Sequence, residues 1–121
     1  MKIGLAQING IVGDFPGNAK RIVNAYREAL DKGADLVLTP ELALVGYPPR
    51  DLVCKSGFVP SCLQALDYLT SEIGEVPLVV GYVDHNDSEV PGKPFRNAAA
   101  FIEKGRITAK VFKTLLPTYD I

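Results

Sequence analysis

The sequence predicts an α/β layered fold, and three observations carry that prediction. Residues 35–39 and 77–82 are short, nearly all-apolar runs, the pattern of strands covered on both faces. Each run is preceded by a segment with apolar residues at helical spacing. The chain then finishes with two alternating segments, 97–103 and 106–113, joined by Lys104-Gly105, which suits a tight hairpin. The resulting order, β-α-β-loop-α-β-β-β, mixes parallel crossovers with an antiparallel pair.

Taken in order, residues 2–9 read as a strand, closed by a loop over 10–17 that holds Gly10, Gly13, Pro16 and Gly17. Ile22, Val23, Tyr26, Ala29 and Leu30 form one apolar stripe of an amphipathic helix, and Gly33 supplies its C-terminal stop. The strand over 35–39 leads into a long loop, 40–55, that contains Pro48 and Pro49. A second helix covers 58–74, with Leu63, Leu66, Leu69 and Ile73 at helical spacing. Its start has two readings: Ser61 and Gln64 have capping-box spacing, or Pro60 sits in the first turn. Residues 85–94 are polar and turn-rich, an exposed connection in which His85 receives no role. No internal repeat or low-complexity tract appears.

At 121 residues the chain is one domain or less, 1–121, long enough to bury a core. A net charge of −1 and a pI near 5.8 give no electrostatic footprint for nucleic acid or an anionic membrane. The longest apolar stretch, 77–83, falls far short of the roughly 20 residues that span a bilayer. Lys2-Ile3-Gly4-Leu5-Ala6-Gln7-Ile8 reads as a strand rather than a signal peptide, so a cytoplasmic location is expected. Cys54 and Cys62, with one histidine, make neither a disulfide framework nor a metal site, and both cysteines are expected to be packing thiols. Dinucleotide binding is disfavoured too. The first β–α turn, Gly10-Ile-Val-Gly13-Asp-Phe-Pro-Gly17, lacks the Gly-x-Gly-x-x-Gly that lets backbone approach a pyrophosphate.

Two residues stand out chemically. Glu41 follows an apolar strand directly at its carboxyl end, where open α/β sheets place ligand sites; alone it could equally be a solvated loop carboxylate. Lys113 continues the alternating phase of Ile107, Ala109 and Val111, opposite Arg106, Thr108 and Lys110. A lysine on an inward phase must reach out to water, lose its charge or find a carboxylate. Together the two residues suggest a buried Glu–Lys pair.

Several segments resemble the nitrilase (carbon–nitrogen hydrolase) superfamily, and more narrowly the N-terminal glutaminase domains of its glutamine-dependent NAD synthetase branch. Pro40-Glu41 with Gly46-Tyr47 resembles the base-bearing motif, and Pro48-Pro49-Arg50-Asp51-Leu52 its branch-specific continuation. Arg96-Asn97-Ala98-Ala99-Ala100 is similar to the strand ahead of the hairpin, and Lys113-Thr-Leu-Leu-Pro117-Thr-Tyr119 to the lysine motif. Gly4-Leu5-Ala6-Gln7, Val12-Gly13-Asp14 and Gly17-Asn18 match the amino-terminal strand and loop.

The resemblance implies an α-β-β-α sandwich and a Glu–Lys–Cys mechanism acting on glutamine. Glu41 would be the general base and Lys113 the oxyanion stabiliser. Tyr119 would contact substrate or serve as a hinge aromatic, and Tyr47 would line the same pocket or pack the Pro48-Pro49 turn. Thr118 and Asp120 depart from the family's usual asparagine and glycine. The family's nucleophilic cysteine lies beyond Ile121, at neither Cys54 nor Cys62, so the 121-residue chain alone is expected to be inactive. No cofactor is implied for this chain; ATP and magnesium belong to the branch's synthetase domain. The implied partners are glutamine, the remainder of the amidase domain, the synthetase domain and further copies in a homo-oligomer. Competing readings are another amidase of the superfamily, or a non-catalytic remnant or binding module.

Overall fold

The two described helices start in different ways. Asp14 caps the first helix by accepting from the Gly17 amide at 3.2 Å, with Pro16 already in the first turn where no amide is needed. That cap starts the helix inside the segment expected to be loop. The second helix begins after Gly57, which holds φ at 86°, and Pro60 occupies its first turn, so the capping-box alternative does not form.

The computed structural model describes residues 1–47, 56–85 and 95–113. The elements are β1 (Ile3–Leu5), α1 (Phe15–Asp31), β2 (Leu36–Leu38), α2 (Phe58–Ser71), β3 (Leu78–His85), β4 (Phe95–Glu103) and β5 (Arg106–Phe112). They form one five-stranded sheet in the order β1-β2-β3-β4-β5, parallel from β1 to β3 and antiparallel from β3 to β5. β1 is shorter than the 2–9 run suggested. β3 is longer: it runs to His85, which pairs with Phe95 instead of lying in a connection.

Both helices pack on one face of the sheet. Ala19, Ile22 and Tyr26 of α1, Cys62, Leu66 and Leu69 of α2, and Val37, Leu78, Val80, Tyr82, Ala98, Ala100 and Ile102 of the strands are buried together. Burying each large side chain in this set contributes about 1.5–3 kcal/mol relative to exposure. Gly4 faces α1 so closely that an added Cβ would lie 2.9 Å from the Ala29 Cβ. The sheet's other face carries no helix among the described residues and leaves Ile3, Leu5 and Val111 exposed at 50, 69 and 64%.

The hairpin turn at Lys104 and Gly105 has φ of 53° and 72°, the mirror-image geometry that follows the right-handed strand twist. Further along β5 the simple alternation fails. Ile107 pairs with Ile102, but Ala109 pairs with Phe101, so Thr108 is an extra residue in a β-bulge. Ile107 therefore lies on the helix-covered face, while Ala109, Val111 and Lys113 continue on the open one. The expected common face of Ile107 and Lys113 is corrected accordingly. Lys110, assigned by alternation to the opposite phase, comes to the helix-covered side with Phe112, opposite Ala100 and Ala98.

Candidate active site

Glu41 sits in a turn that leaves the end of β2 and lies across the open face of β3. Thr39 anchors its start: its amide donates to the Val79 carbonyl at 3.0 Å, and its hydroxyl bridges the Val79 carbonyl and the Gly81 amide, each at 3.1 Å. The turn lies directly on Gly81, where an added Cβ would stand 2.5 Å from the Leu42 nitrogen and 2.8 Å from the Pro40 carbonyl. Leu42 takes a φ of 55°, a conformation that branched and bulky side chains rarely hold and that is characteristically found next to functional groups. From outside, Asn18 fastens the turn: fully buried, it donates to the Leu44 carbonyl at 3.1 Å while also bonding both polar backbone groups of Ile11.

Across the sheet, β4 and the end of β5 bring two donors to the carboxylate. The Lys113 ammonium donates to Glu41 Oε1 at 3.0 Å, and the Asn97 side-chain amide donates to the same oxygen. The Lys113 backbone amide donates to the Asn97 carbonyl at 2.9 Å. Among the described residues, neither donor reaches Oε2. The Lys113 hydrogen bond, supported by Asn97, holds the Glu41 carboxyl below its ordinary range against the opposing effect of partial burial. The pair opens onto a cavity of about 280 Å³ whose floor includes Val79, Gly81, Ala99 and Val111. It is not buried as expected: the Lys113 and Glu41 side chains are 57 and 48% exposed. Pairing of Val111 with Ala99 beyond the bulge puts Lys113 on the sheet face that no described helix covers, the face on which the Glu41 turn lies. An ionised carboxylate with one free oxygen can accept a proton, and an adjacent ammonium can hold developing negative charge.

Of the other sequence candidates, Tyr47 is 65% exposed and is not among the residues that line this cavity. Tyr119, Cys54 and the Pro48-Pro49-Arg50-Asp51-Leu52 motif lie outside the described residues. Cys62 is fully buried in α2 on the helix side of the sheet, and burial pushes its thiol up to about 11, a protonated group with no path to Glu41. Sequence reasoning missed Asn97 as a partner of Glu41, although its one polar side chain ahead of three alanines was a usable signal. It also missed a second acid–lysine pair, Asp84 with Lys110 at 3.1 Å, which the bulge conceals from simple alternation.

The carbon–nitrogen hydrolase family model matches residues 2–120. The chain belongs to the carbon–nitrogen hydrolase family. It is 43% identical over 98% of its length to a glutamine-dependent NAD(+) synthetase of Synechocystis sp., and 36% identical over its whole length to one of Thermotoga maritima. It spans only about a fifth of those relatives, 22% and 20%. Among solved structures, the glutamine-dependent NAD+ synthetase of Acinetobacter baumannii superposes with a TM-score of 0.84 at 27% identity, covering 98% of this chain and 22% of that one. An amidase from Nesterenkonia sp. superposes with a TM-score of 0.74 at 25% identity, over 96% of this chain and 43% of that one. The α/β architecture is thus of the nitrilase type, and the described sheet and helices correspond to part of it.

Proposed function

We propose that this chain contributes the general base and the oxyanion stabiliser of a cysteine-dependent glutamine amidase. The ammonia it releases would serve the ATP-dependent conversion of deamido-NAD to NAD by a synthetase domain outside this chain. The observation that carries the reading is the convergence of Lys113 and Asn97 on one oxygen of Glu41 at the edge of a cavity. The likeness to glutamine-dependent NAD(+) synthetases along essentially the whole chain supports the choice of substrate.

In this mechanism Glu41 Oε2 takes the proton of a cysteine thiol supplied from outside the described residues. The sulfur attacks the amide carbon, and the carbonyl oxygen becomes an oxyanion facing the Lys113 ammonium. Because that charge appears only as the bond forms, the lysine stabilises the transition state more than the ground state. Glu41 returns the proton to the departing nitrogen, leaving a thioester and ammonia. Water, deprotonated by the same carboxylate, then attacks the thioester, releasing glutamate and restoring the thiol. ATP and magnesium act in the synthetase reaction, and no residue of this chain is assigned to them. Tyr119 remains the candidate for contact with the substrate amino acid, and Tyr47, outside the cavity lining, is the weaker candidate.

The similarity to the Nesterenkonia amidase, a mutant of which is solved in complex with butyramide, supports a second reading in which a simple aliphatic amide is the substrate. Ammonia release from glutamine and from butyramide, measured on the protein at its full natural length, separates the two. Preference for glutamine, coupled to NAD formation, supports the proposal; hydrolysis of butyramide with no glutamine turnover overturns it in favour of the second reading.

A further inference from the structure

Asn97 is joined to both members of the Glu–Lys pair, by different groups. Its side-chain amide donates to Glu41 Oε1, while its backbone carbonyl accepts from the Lys113 amide at 2.9 Å. The pairing of Val83 with Asn97 turns that side chain to the open face, where the Glu41 turn crosses β3. One residue of β4 thus fixes the separation between an acid delivered by β2 and a lysine delivered by β5.

The arrangement also treats the two carboxylate oxygens differently. Oε1 accepts from the Lys113 ammonium at 3.0 Å and from Asn97, which occupies its lone pairs with donors. Among the described residues Oε2 has no donor. A carboxylate fixed by one oxygen offers the other in a single orientation, and general-base catalysis depends on that orientation as much as on proton affinity. We propose that Asn97 is a positioning residue that holds Glu41 through Oε1 and so makes Oε2 the proton-accepting oxygen. This inference rests on the amidase reading and adds to it the residue that sets the geometry of the base. Neither a shorter side chain nor a carboxylate can replace it. Alanine removes the donor, and aspartate keeps the shape but sets an acceptor against an acceptor.

Asn97→Ala and Asn97→Asp, made in the protein at its full natural length, test the proposal. The readouts are the pH dependence of kcat/KM for glutamine and NAD formation driven by free ammonia. Both variants should lose at least about tenfold in glutamine turnover, since small misplacements of catalytic groups cost that much or more. Removing a donor to the carboxylate should also move the acid limb of the profile to higher pH, further for Asn97→Asp. Ammonia-driven synthesis should persist in both and report an intact fold. An acid limb unchanged in a variant that retains ammonia-driven synthesis overturns the assignment, whatever happens to turnover, because a packing role would not alter proton affinity. Turnover equal to wild type overturns it as well. Glu41→Gln in the same assays separates the role of Asn97 from the amidase reading beneath it. If that variant hydrolyses glutamine normally, the amidase reading itself falls; if it is inactive while the Asn97 variants behave as wild type, only the role of Asn97 falls.

Discussion

Strand β5 and the residue that follows it carry two lysines, Lys110 and Lys113, that each reach a carboxylate, and the two pairs lie on opposite faces of the same sheet. Asp84 is saturated. Its Oδ2 accepts from the Tyr82 hydroxyl at 2.6 Å and from Lys110 at 3.1 Å, and its Oδ1 accepts from the His85 amide at 2.8 Å. Among the described residues, Glu41 receives its two donors on one oxygen. The Asp84 side chain is 12% exposed, against 48% for Glu41. The same ion-pair chemistry thus appears once with donors on both oxygens of a largely buried carboxylate, and once, among the described residues, with one oxygen left without a donor beside a cavity. A carboxylate held through both oxygens resists protonation and serves the fold; one held through a single oxygen contributes less to stability and presents the other oxygen to a proton.

The contrast predicts a double dissociation. Its largest effect is on catalysis: under the proposed mechanism, Glu41→Gln or Lys113→Met lowers glutamine turnover by at least about a hundredfold. The double variant should be little worse than either single one, because members of one catalytic unit are not additive. Thermal stability should barely change, since a half-exposed ion pair contributes about 0–1 kcal/mol. Steady-state rates with glutamine and with free ammonia, alongside melting curves, measure both halves. Wild-type glutamine turnover in either single variant would reduce the Glu41–Lys113 pair to a surface salt bridge.

At Asp84 the expectation reverses. Asp84→Asn should cost about 1–3 kcal/mol of stability, the range for breaking hydrogen bonds to a largely buried group. Lys110 keeps 40% of its side chain exposed, so the charge left behind stays hydrated and the cost should not exceed that range. The effect should depend on pH. Burial opposes ionisation of Asp84, but the Tyr82, Lys110 and His85 donors outweigh it and hold the carboxyl below its ordinary range. A carboxyl depressed on folding stabilises the native state above its unfolded pKa, and that contribution disappears as pH falls through the folded value. The stability gap between wild type and Asp84→Asn should therefore be full near neutrality and close in acid. A gap that widens in acid would reverse the assigned direction.

Much of this architecture was legible in the sequence because it is local. The apolar runs at 35–39 and 77–82, the stripe from Ile22 to Leu30 and the Lys104-Gly105 turn each follow from the periodicity or backbone preference of a few neighbours. Glu41 and Lys113 were also accessible, and the structure brings them together at 3.0 Å. Their environment was not. Alternation along β5 assumes that no residue is inserted, and nothing in Ile107-Thr108-Ala109 announces an extra one. The partners of Lys110 depend on pairing with β4 and on a carboxylate two strands away, information that lies outside any local window.

The bulge itself gives the smallest expected effect. In a regular strand, losing one residue turns every later side chain to the other face, which would carry Lys113 away from Glu41. Here Thr108 is the extra residue, opposed by no partner of its own, with Ile107 paired to Ile102 and Ala109 to Phe101. Deleting it should close the bulge into regular pairing while Ala109, Val111 and Lys113 keep their present face. The Thr108 hydroxyl donates one hydrogen bond, 3.3 Å to the Phe101 carbonyl at an exposed position, so its removal costs little. Glutamine turnover in the Thr108 deletion should therefore stay within about tenfold of wild type, the change left by a local loss of strand bend. Deleting Thr108 and Ala109 together removes one residue more than the bulge can absorb and should flip Lys113, reproducing the defect of Lys113→Met. Equal damage from both deletions, in proteins that still use free ammonia, would show that the bulge does not absorb the loss of Thr108 and that the pairing beyond it shifts in both.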